Sequence, residues 1–405
     1  MQSCFIDFKY FYYMISIILS VMLTIKFIGS CENDKNLPVI IWWTNLLYPH
    51  QGSKSVIKCN SGKCISSMKK YNLNDSNVYA YMFYGTDFDS SDLPFPRKQN
   101  HLWTLLHEES PMNNYIFSHI TGITLFNYTS TFSRYSDYPL TTQFIPSLEY
   151  FTERKGIPID EKNKFRYQGI APVMYLQSHC NVASDRDRYV KNLMNFIKID
   201  SYGACLHNKN LPSHLLSTET YNDEELFSFI SKYKFHIAYE NALCDDYITE
   251  KIFRALYVGS VPIYKGASTV KDWMPSNKSV IIIDNFDNPK ELADFISNLD
   301  KNDDLYNEYL QFKETGITNE FLKQTLLKRN WGVNDVYKID FIRGFECYVC
   351  DKLHALNKST SLNIANRKHM NCPQPHMSII SDNEIITYDD EWLRRRLDRK
   401  LVVCF

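Results

Sequence analysis

The fold of this chain is decided by one stretch, Phe235-His-Ile-Ala-Tyr-Glu-Asn-Ala-Leu-Cys-Asp-Asp-Tyr-Ile-Thr-Glu-Lys-Ile-Phe-Arg254. Its mostly apolar beginning predicts a buried strand that ends at Glu240, and a short loop then leads to a helix predicted to begin near Tyr247. Ligands of open α/β sheets bind at the carboxyl ends of strands, beside such helix starts. The stretch therefore predicts a ligand site within an α/β domain.

Three side chains of the predicted helix share one face. Tyr247, Glu250 and Lys251 have the spacing i, i+3, i+4. An ammonium binds phosphate and a carboxylate accepts hydrogen bonds from sugar hydroxyls, so this face suits a nucleotide sugar. A surface Glu–Lys pair is the alternative interpretation. The following Gly259-Ser-Val-Pro-Ile-Tyr-Lys-Gly266, a strand entry punctuated by Gly and Pro, favours the ligand site.

Strands and helices alternate outward from this stretch, which implies parallel sheets covered on both faces. The predicted strands are Val39–Trp43, Asn77–Phe83, His101–Leu106, Gly122–Phe126, Val173–Gln177, Phe235–Tyr239, Val261–Tyr264 and Val280–Asp284. The predicted helices are Asp185–Ile199, Tyr247–Tyr257 and Lys290–Leu299.

The predicted domain organisation follows from these elements and from composition. We expect the connection between two α/β domains in the charged stretch from Tyr150 to Tyr167, which lacks a clear apolar period. The expected segments are a cytoplasmic tail with signal anchor (1–30), a short stem (31–38), a first domain (39–155), a second domain with a C-terminal return (156–350) and a loosely ordered extension (351–405).

The overall composition limits the classes of function. A chain of 405 residues with 44% hydrophobic content is long enough for two domains with their own cores. Its 45 basic and 46 acidic residues give a net charge of −1, so the electrostatic pattern of a nucleic-acid-binding protein is absent. Aromatic residues make up 15%, which suits sugar-binding clefts and ordinary cores alike.

The N-terminus predicts entry into the secretory lumen. The residues from Tyr10 to Ile25 carry no charge and lie between Lys9 and Lys26, which predicts a short uncleaved membrane anchor. A signal peptide cut near Gly29-Ser30-Cys31 is the alternative.

A luminal address agrees with two other features. Eleven cysteines indicate disulfides in an oxidising compartment. Zinc binding by the close pairs Cys59/Cys64 and Cys347/Cys350 is the alternative. Candidate N-glycosylation sites occur at Asn74, Asn127, Asn277 and Asn357.

Several motifs together carry a family resemblance. Three segments together resemble the donor signature of the α1,3/α1,4-fucosyltransferases, glycosyltransferase family 10. They are Tyr239-Glu-Asn241, Asp246-Tyr-Ile-Thr-Glu-Lys251 and Gly259-Ser-Val-Pro262. Leu125-Phe-Asn-Tyr-Thr129 with Arg134-Tyr-Ser-Asp137 resembles the first-domain motif, and Cys347-Tyr-Val-Cys350 the C-terminal cysteine pair. The resemblance runs from about Val39 to Cys350. It implies a GT-B fold, in which two Rossmann-like domains face a cleft, with the acceptor domain first. It further implies the donor GDP-fucose, inversion at the fucose anomeric carbon and no obligatory metal.

A divergent branch of that family, fucosyltransferases ten and eleven, shares further motifs. They are His107-Glu-Glu-Ser-Pro111, Trp331-Gly-Val-Asn-Asp335, Gly344-Phe-Glu-Cys347 and His369-Met-Asn-Cys-Pro373. This resemblance leaves two acceptors open, GlcNAc of N-glycans and Ser/Thr of folded EMI domains. It implies a single-pass type II protein of the Golgi or endoplasmic reticulum membrane with a luminal catalytic part.

The resemblance also implies site residues. An inverting transfer is a single displacement, which needs one base and cations on the leaving diphosphate. Glu109 matches the family's base in its Glu-Ser-Pro motif, and the adjacent Glu108 is expected to point elsewhere. Arg186 and Lys251 would bind the diphosphate. The other implied donor contacts are Glu250 for fucose or ribose, Asn241 and Tyr247 as pocket lining, and Ser178 and Arg188 as secondary candidates.

A disulfide framework is implied as well. Cys59 and Cys64 are expected to pair one to one with Cys347 and Cys350. Cys205 and Cys244 are the next expected pair.

Two rival functions stay open at this point. Asp87-Phe-Asp89 and Asp185-Arg-Asp187 both spell the Asp-x-Asp pattern of metal-dependent GT-A transferases, although Asp185 is also a natural helix N-cap. A non-catalytic sugar- or protein-binding module on a retained fold is the second rival. The presence of Glu250, Lys251 and the arginine favours an enzyme over that module.

Overall fold

A computed structural model of the chain describes residues 36–68, 77–215, 223–356 and 363–373. They form two sheets with helices on their faces, so the predicted α/β class with parallel sheets is confirmed. The predicted signal anchor lies outside the described residues. None of the described helices is both long enough and apolar enough to cross a membrane.

The first sheet has six strands in the order β2-β3-β1-β4-β5-β6. Only β2 and β3 pair antiparallel, and the other neighbours are parallel. All residues of β1 and β5 are buried, because the sheet is covered on both faces. The strands are β1 (Val39–Trp42), β2 (Lys54–Lys58), β3 (Lys63–Met68), β4 (Val78–Tyr84), β5 (Leu102–His107) and β6 (Tyr128–Thr131).

The second sheet has five strands in the order β11-β10-β9-β7-β8, and all of its pairings are parallel. Its centre, β9, is buried along its whole length. The strands are β7 (Val173–Leu176), β8 (Ile199–Tyr202), β9 (Phe235–Tyr239), β10 (Val261–Lys265) and β11 (Ile281–Ile282).

Ten α-helices lie in the described part of the chain, and the longer ones cover the two sheets. They are α1 (Ile120–Ile123), α2 (Ile159–Tyr167), α3 (Arg186–Leu193), α4 (Glu224–Ile230), α5 (Glu250–Tyr257), α6 (Pro289–Lys301), α7 (Asp303–Glu308), α8 (Phe312–Thr315), α9 (Glu320–Lys328) and α10 (Phe341–Ala355).

The predicted C-terminal return is helix α10, which packs its apolar face on the first sheet. Disulfides Cys59–Cys347 and Cys64–Cys350 join this helix to β2–β3, so the implied pairing of these four cysteines is confirmed. Their sulfur atoms are not free thiolates, and the zinc alternative for these cysteines is wrong.

The expected pair Cys205–Cys244 is wrong. Cys205 is bonded to Cys180, and Cys244 is bonded to Cys372. The reason is the path of the loop after β9, which leaves the second sheet and buries Cys244 in the core of the first. Cys205 and Cys244 therefore lie in different cores.

Residues 363–373 were expected within the loosely ordered extension, and the structure corrects this. Ala365 donates its backbone N–H to the carbonyl of Phe126 at 2.9 Å. The ring of His369 lies 2.8 Å from the hydroxyl of Thr129. Met370 is buried in the core of the first sheet. The segment is ordered because it continues the first-domain core and is cross-linked through Cys372.

Several predicted elements differ from the structure. The segment Gly122–Phe126 is not a strand, because Gly122 lies in α1, where a Cβ would lie only 2.0 Å from the carbonyl oxygen of Ile116. The helix predicted over Asp185–Ile199 ends at Leu193, since Ile199 begins the buried strand β8. The hairpin β2–β3 and strand β8 were not predicted.

The expected interdomain connection contains helix α2, which packs on the second sheet through a polar contact. The buried side-chain nitrogen of Lys162 donates to the carbonyls of Tyr233 at 2.9 Å and Gly259 at 2.7 Å, and to the hydroxyl of Ser260 at 3.1 Å. A helix anchored by a buried lysine shows no apolar period, which explains why the sequence pattern did not predict it.

The candidate glycosylation sites differ in burial. Asn127 is buried, and its side-chain amide donates to the carbonyl of Asn363 at 2.8 Å, so its assignment as a glycan acceptor is wrong. Asn277 is exposed, as an acceptor must be. Asn74 and Asn357 lie outside the described residues.

One ion pair ties the loop after β6 to the loop before α5. Arg134 donates from Nε and a terminal nitrogen to the carboxylate of Asp246 at 2.6–2.9 Å, and its backbone N–H donates at 3.0 Å. Only 1% of the Asp246 side chain is exposed. Thr269 and Trp273 also donate to this carboxylate. Burial alone would raise the pKa of Asp246, but the donation from Arg134 holds it below its ordinary value.

We expect Arg134→Ala to destabilise the protein by about 3–5 kcal/mol, because the buried carboxylate of Asp246 loses its counter-charge. Urea unfolding measures the change. The matched control is Lys290→Ala, which removes an exposed pair with Asp294 and should cost at most about 1 kcal/mol. Equal unfolding midpoints for the two variants would show that this pair does not hold the loops together.

Candidate active site

The loop between β9 and α5 differs from the prediction in one respect that matters for the site. The helix begins at Glu250, not near Tyr247, because Asp246 has a left-handed backbone (φ 62°) and Thr249 is an extended N-cap. Tyr247 therefore does not share a helical face with Glu250 and Lys251. Its ring packs in the core of the first sheet instead.

Glu240, at the carboxyl end of β9, is a site residue that the sequence reasoning missed. Its carboxylate is fully buried and accepts hydrogen bonds from the backbone N–H of Thr249 at 2.8 Å and from the Thr249 hydroxyl at 2.9 Å. The ammonium of Lys251 lies 3.1 Å from the same carboxylate. A charged residue that directly ends a buried strand is the signal that could have identified it.

Lys251 presents a fixed positive charge at this edge of the second sheet. Its ammonium also donates to the Thr249 hydroxyl at 2.8 Å, and 16% of the side chain is exposed. Burial alone would lower the pKa of Lys251, but the carboxylates of Glu240 and Glu250 raise it above its ordinary value. The lysine is thus an ammonium at neutral pH, at the N-terminus of α5, where an anion is favoured.

Arg186 is the second cation of the site. It is buried at the start of α3 and donates to the carbonyls of Tyr239 at 3.1 Å and His179 at 2.6 Å. Its Nε and the Oδ1 of Asn241 are buried without a hydrogen-bond partner among the described residues. Buried polar atoms are normally paired, so these two mark a place where a polar ligand can bind.

The secondary donor candidates, Ser178 and Arg188, are one exposed residue and one residue that is already ion-paired. Ser178 is exposed on the loop after β7. Arg188 forms an ion pair with Asp185 of its own helix, which occupies its guanidinium. Asp185 occupies the N-cap position of α3, as expected, but it has a left-handed backbone and makes no side-chain capping bond.

Glu109 follows β5 and reaches the loop of the other sheet. The hydroxyl of Tyr247 donates to its Oε2 at 3.2 Å. Burial raises the pKa of Glu109, the Tyr247 hydroxyl lowers it, and the nearby carboxylate of Glu250 raises it further. A carboxylate whose pKa is raised toward neutrality is suited to accept a proton.

Glu108 points in a different direction, as expected. It accepts a hydrogen bond from the Tyr84 hydroxyl at 2.9 Å. Burial raises the pKa of Glu108 to about 7. The two adjacent carboxylates therefore have separate partners, and Glu109 is the one that contacts the donor-side loop.

The Asp-x-Asp sequences serve local structure. Asp87 accepts the backbone N–H of Leu46 at 3.3 Å, and Asp187 accepts the Tyr175 hydroxyl at 2.7 Å. Asp185 is the partner of Arg188. These bonds give the carboxylates structural roles and weigh against the metal-dependent alternative.

Comparison with known proteins shows which family the chain belongs to. A family model described as glycosyltransferase family 10 (fucosyltransferase) C-term matches residues 166–367, and one described as fucosyltransferase, N-terminal matches residues 35–142. The chain is 43% identical over 347 residues to GDP-fucose protein O-fucosyltransferase 3 of Homo sapiens, a match that covers 84% of this chain and 71% of the human protein. It belongs to glycosyltransferase family 10.

A second relative and a solved structure are also similar to this chain. The GDP-fucose protein O-fucosyltransferase 3 of Xenopus tropicalis is 42% identical over 348 residues, covering 84% of this chain and 73% of that protein. Among solved structures, the crystal structure of an alpha1,3-fucosyltransferase with GDP has a TM-score of 0.47 at 14% identity, covering 83% of this chain and 92% of that one.

We expect Lys251→Met to weaken GDP binding by at least about tenfold, because a charge-assisted contact with the diphosphate is lost. Calorimetric titration with GDP measures the affinity. Since the single variant leaves Glu240 buried without a counter-charge, the double variant Lys251→Met/Glu240→Gln separates folding from binding. The double variant should recover the wild-type melting temperature but not the affinity. Lys191→Ala, an exposed lysine of α3, is the control for loss of one positive charge. Unchanged GDP affinity in the Lys251 variants would rule out this donor site.

Proposed function

We propose that this protein is an inverting fucosyltransferase that transfers L-fucose from GDP-fucose to Ser or Thr of a folded protein domain. One observation carries the proposal. The carboxylate of Glu109, which follows strand β5 of the first sheet, accepts a hydrogen bond from Tyr247. Tyr247 lies just before the helix that carries Glu250 and Lys251. Glu109 thus lies near enough to Glu250 and Lys251 for their charges to shift its pKa, which supports a proton acceptor from the first sheet beside a cation from the second, as a single displacement needs.

The chemical step follows from these positions. Glu109 takes the proton of the acceptor hydroxyl as its oxygen attacks the anomeric carbon of fucose. The bond from that carbon to the diphosphate breaks on the opposite face, and its electron pair goes to the β-phosphate oxygen of GDP. Arg186 and Lys251 stabilise the charge that develops on the diphosphate, so no metal is obligatory. Glu250 and Asn241 bind the fucose or ribose.

The nature of the acceptor is supported by the relatives at 42–43% identity, whose name specifies protein O-fucosylation. Transfer to GlcNAc of N-glycans is the alternative that the experiment distinguishes. A non-catalytic binding module explains the sequence less well, because Glu109, Arg186 and Lys251, the residues that the transfer would need, are all present.

We also propose a luminal site of action in the Golgi or endoplasmic reticulum, with the N-terminal segment as membrane anchor. Four disulfides in the described residues support an oxidising compartment.

The acceptor is tested by incubating the protein with labelled GDP-fucose and two acceptors side by side, folded EMI domains and asialo-agalacto N-glycans. We expect label on the EMI domain that β-elimination releases. Unfolded EMI domain is the control for recognition of a folded surface. Label on the glycan alone would replace this proposal with the N-glycan alternative.

The base is tested by Glu109→Gln, which retains the shape of the side chain but cannot accept a proton. Transfer should fall by roughly two to four orders of magnitude, with GDP-fucose binding nearly unchanged. Wild-type activity should itself decline as the pH falls through the raised pKa of Glu109, above the value of 4.5 for an ordinary glutamate.

The matched control is Glu108→Gln, whose amide oxygen can still accept from Tyr84, so its effect should be mild. An inactive Glu108→Gln with an active Glu109→Gln would assign the base to the neighbouring carboxylate.

A further inference from the structure

Tyr247 belongs in sequence to the donor motif, but it packs in the core of the first sheet. Only 2% of it is exposed, and its hydroxyl donates to Oε2 of Glu109 at 3.2 Å. Its ring lies edge-on to Phe132, with 5.1 Å between ring centroids. The residue therefore contacts the carboxylate proposed as the base, although it belongs in sequence to the loop of the other sheet.

We propose that Tyr247 is a positioning residue that holds the Glu109 carboxylate in the orientation required to take the proton of the acceptor. The inference rests on the proposed function, in which Glu109 is the base. With Oε2 engaged by the tyrosine, Oε1 is the oxygen left for the acceptor hydroxyl.

The hydroxyl of Tyr247 is a fixed donor. Burial, followed by the nearby carboxylate of Glu109, keeps the pKa of Tyr247 well above its ordinary value, so the phenol retains its proton. The backbone on its N-terminal side is held at Asp246 by Arg134 and Thr269. The disulfide of Cys244 with Cys372 restrains the loop further. A donor restrained in this way fixes the torsion angles of the carboxylate that it binds.

This geometry connects the two halves of the site. Tyr247 directly precedes the N-terminal turn of α5, which carries Glu250 and Lys251. One hydrogen bond therefore links the loop before that turn to Glu109. The acceptor base is thus positioned by the donor loop and not only by the strand that carries it.

The charges around Glu109 define what a pH profile can report. Glu108 is its neighbour in the chain, and Glu240, Glu250 and Lys251 face it from the second sheet. Burial is the largest cause that raises the pKa of Glu109; the Tyr247 hydroxyl and Lys251 lower it, and the carboxylates of Glu250 and Glu240 raise it. Removing only the hydroxyl therefore raises the pKa of the base and leaves every charge in place.

The test is Tyr247→Phe, assayed across pH with the EMI-domain acceptor. We expect the acid limb of kcat/KM to move upward by about one pH unit, because the carboxylate loses a donor that stabilises its charged form. The plateau kcat should fall about tenfold as the carboxylate becomes free to rotate. KM for GDP-fucose should stay within about twofold of wild type.

The matched control is Tyr84→Phe, which removes the corresponding hydroxyl from Glu108. Its acid limb should coincide with that of wild type. Melting temperature and GDP affinity, measured for both variants, show whether each is folded.

Three results overturn the inference or its basis. If folded Tyr247→Phe keeps the wild-type pH profile while Glu109→Gln is inactive, Tyr247 does not position the base. If its KM for GDP-fucose rises while the pH profile is unchanged, the tyrosine contacts the donor instead. If Glu109→Gln is fully active, the proposed base is wrong and Tyr247 has no base to position.

Discussion

The pairing of Arg134 with Asp246 is the interaction on which the site depends most. A carboxylate with two oxygens offers about four acceptor positions, and here the arginine side chain and backbone, Thr269 and Trp273 donate to them. Because the group is buried, these donors hold Asp246 in its left-handed conformation. With Asp246 in that conformation, the loop turns before α5 begins at Glu250, and Tyr247 points toward the first sheet.

Covalent bonds hold the same arrangement over a longer range. Two disulfides fasten α10 to the first sheet, and the Cys244–Cys372 bridge fastens the donor loop to the segment 363–373, which packs in the first core. Disulfides thus hold both segments in which the chain passes from the second sheet to the core of the first. Restraints of this kind hold the loop that brings Tyr247 against Glu109.

The carboxylates of the cleft differ in environment, and this difference divides the work between them. Glu240 is neutralised by Lys251 and serves to hold the helix start. Glu109 has no cation at ion-pair distance among the described residues, and burial raises its pKa. Residues with the same chemistry are suited to structural support in one case and to proton transfer in the other, because Glu240 is paired with Lys251 and Glu109 is not paired with a cation among the described residues.

Continuous apolar runs were enough to predict strands such as β1 and β9, and therefore the α/β class with mainly parallel sheets. The motifs also predicted candidate site residues, among them Glu109, Glu250 and Lys251. The contact of Tyr247 with Glu109, the ion pair of Glu240 with Lys251 and the Cys244–Cys372 bond depend on the tertiary structure. A local pattern reports whether a residue is buried, because burial repeats with the period of its own helix or strand. The partner of a buried polar group or a cysteine depends on where distant segments cross, as Lys162 in α2 and Asn127 beside Asn363 also show.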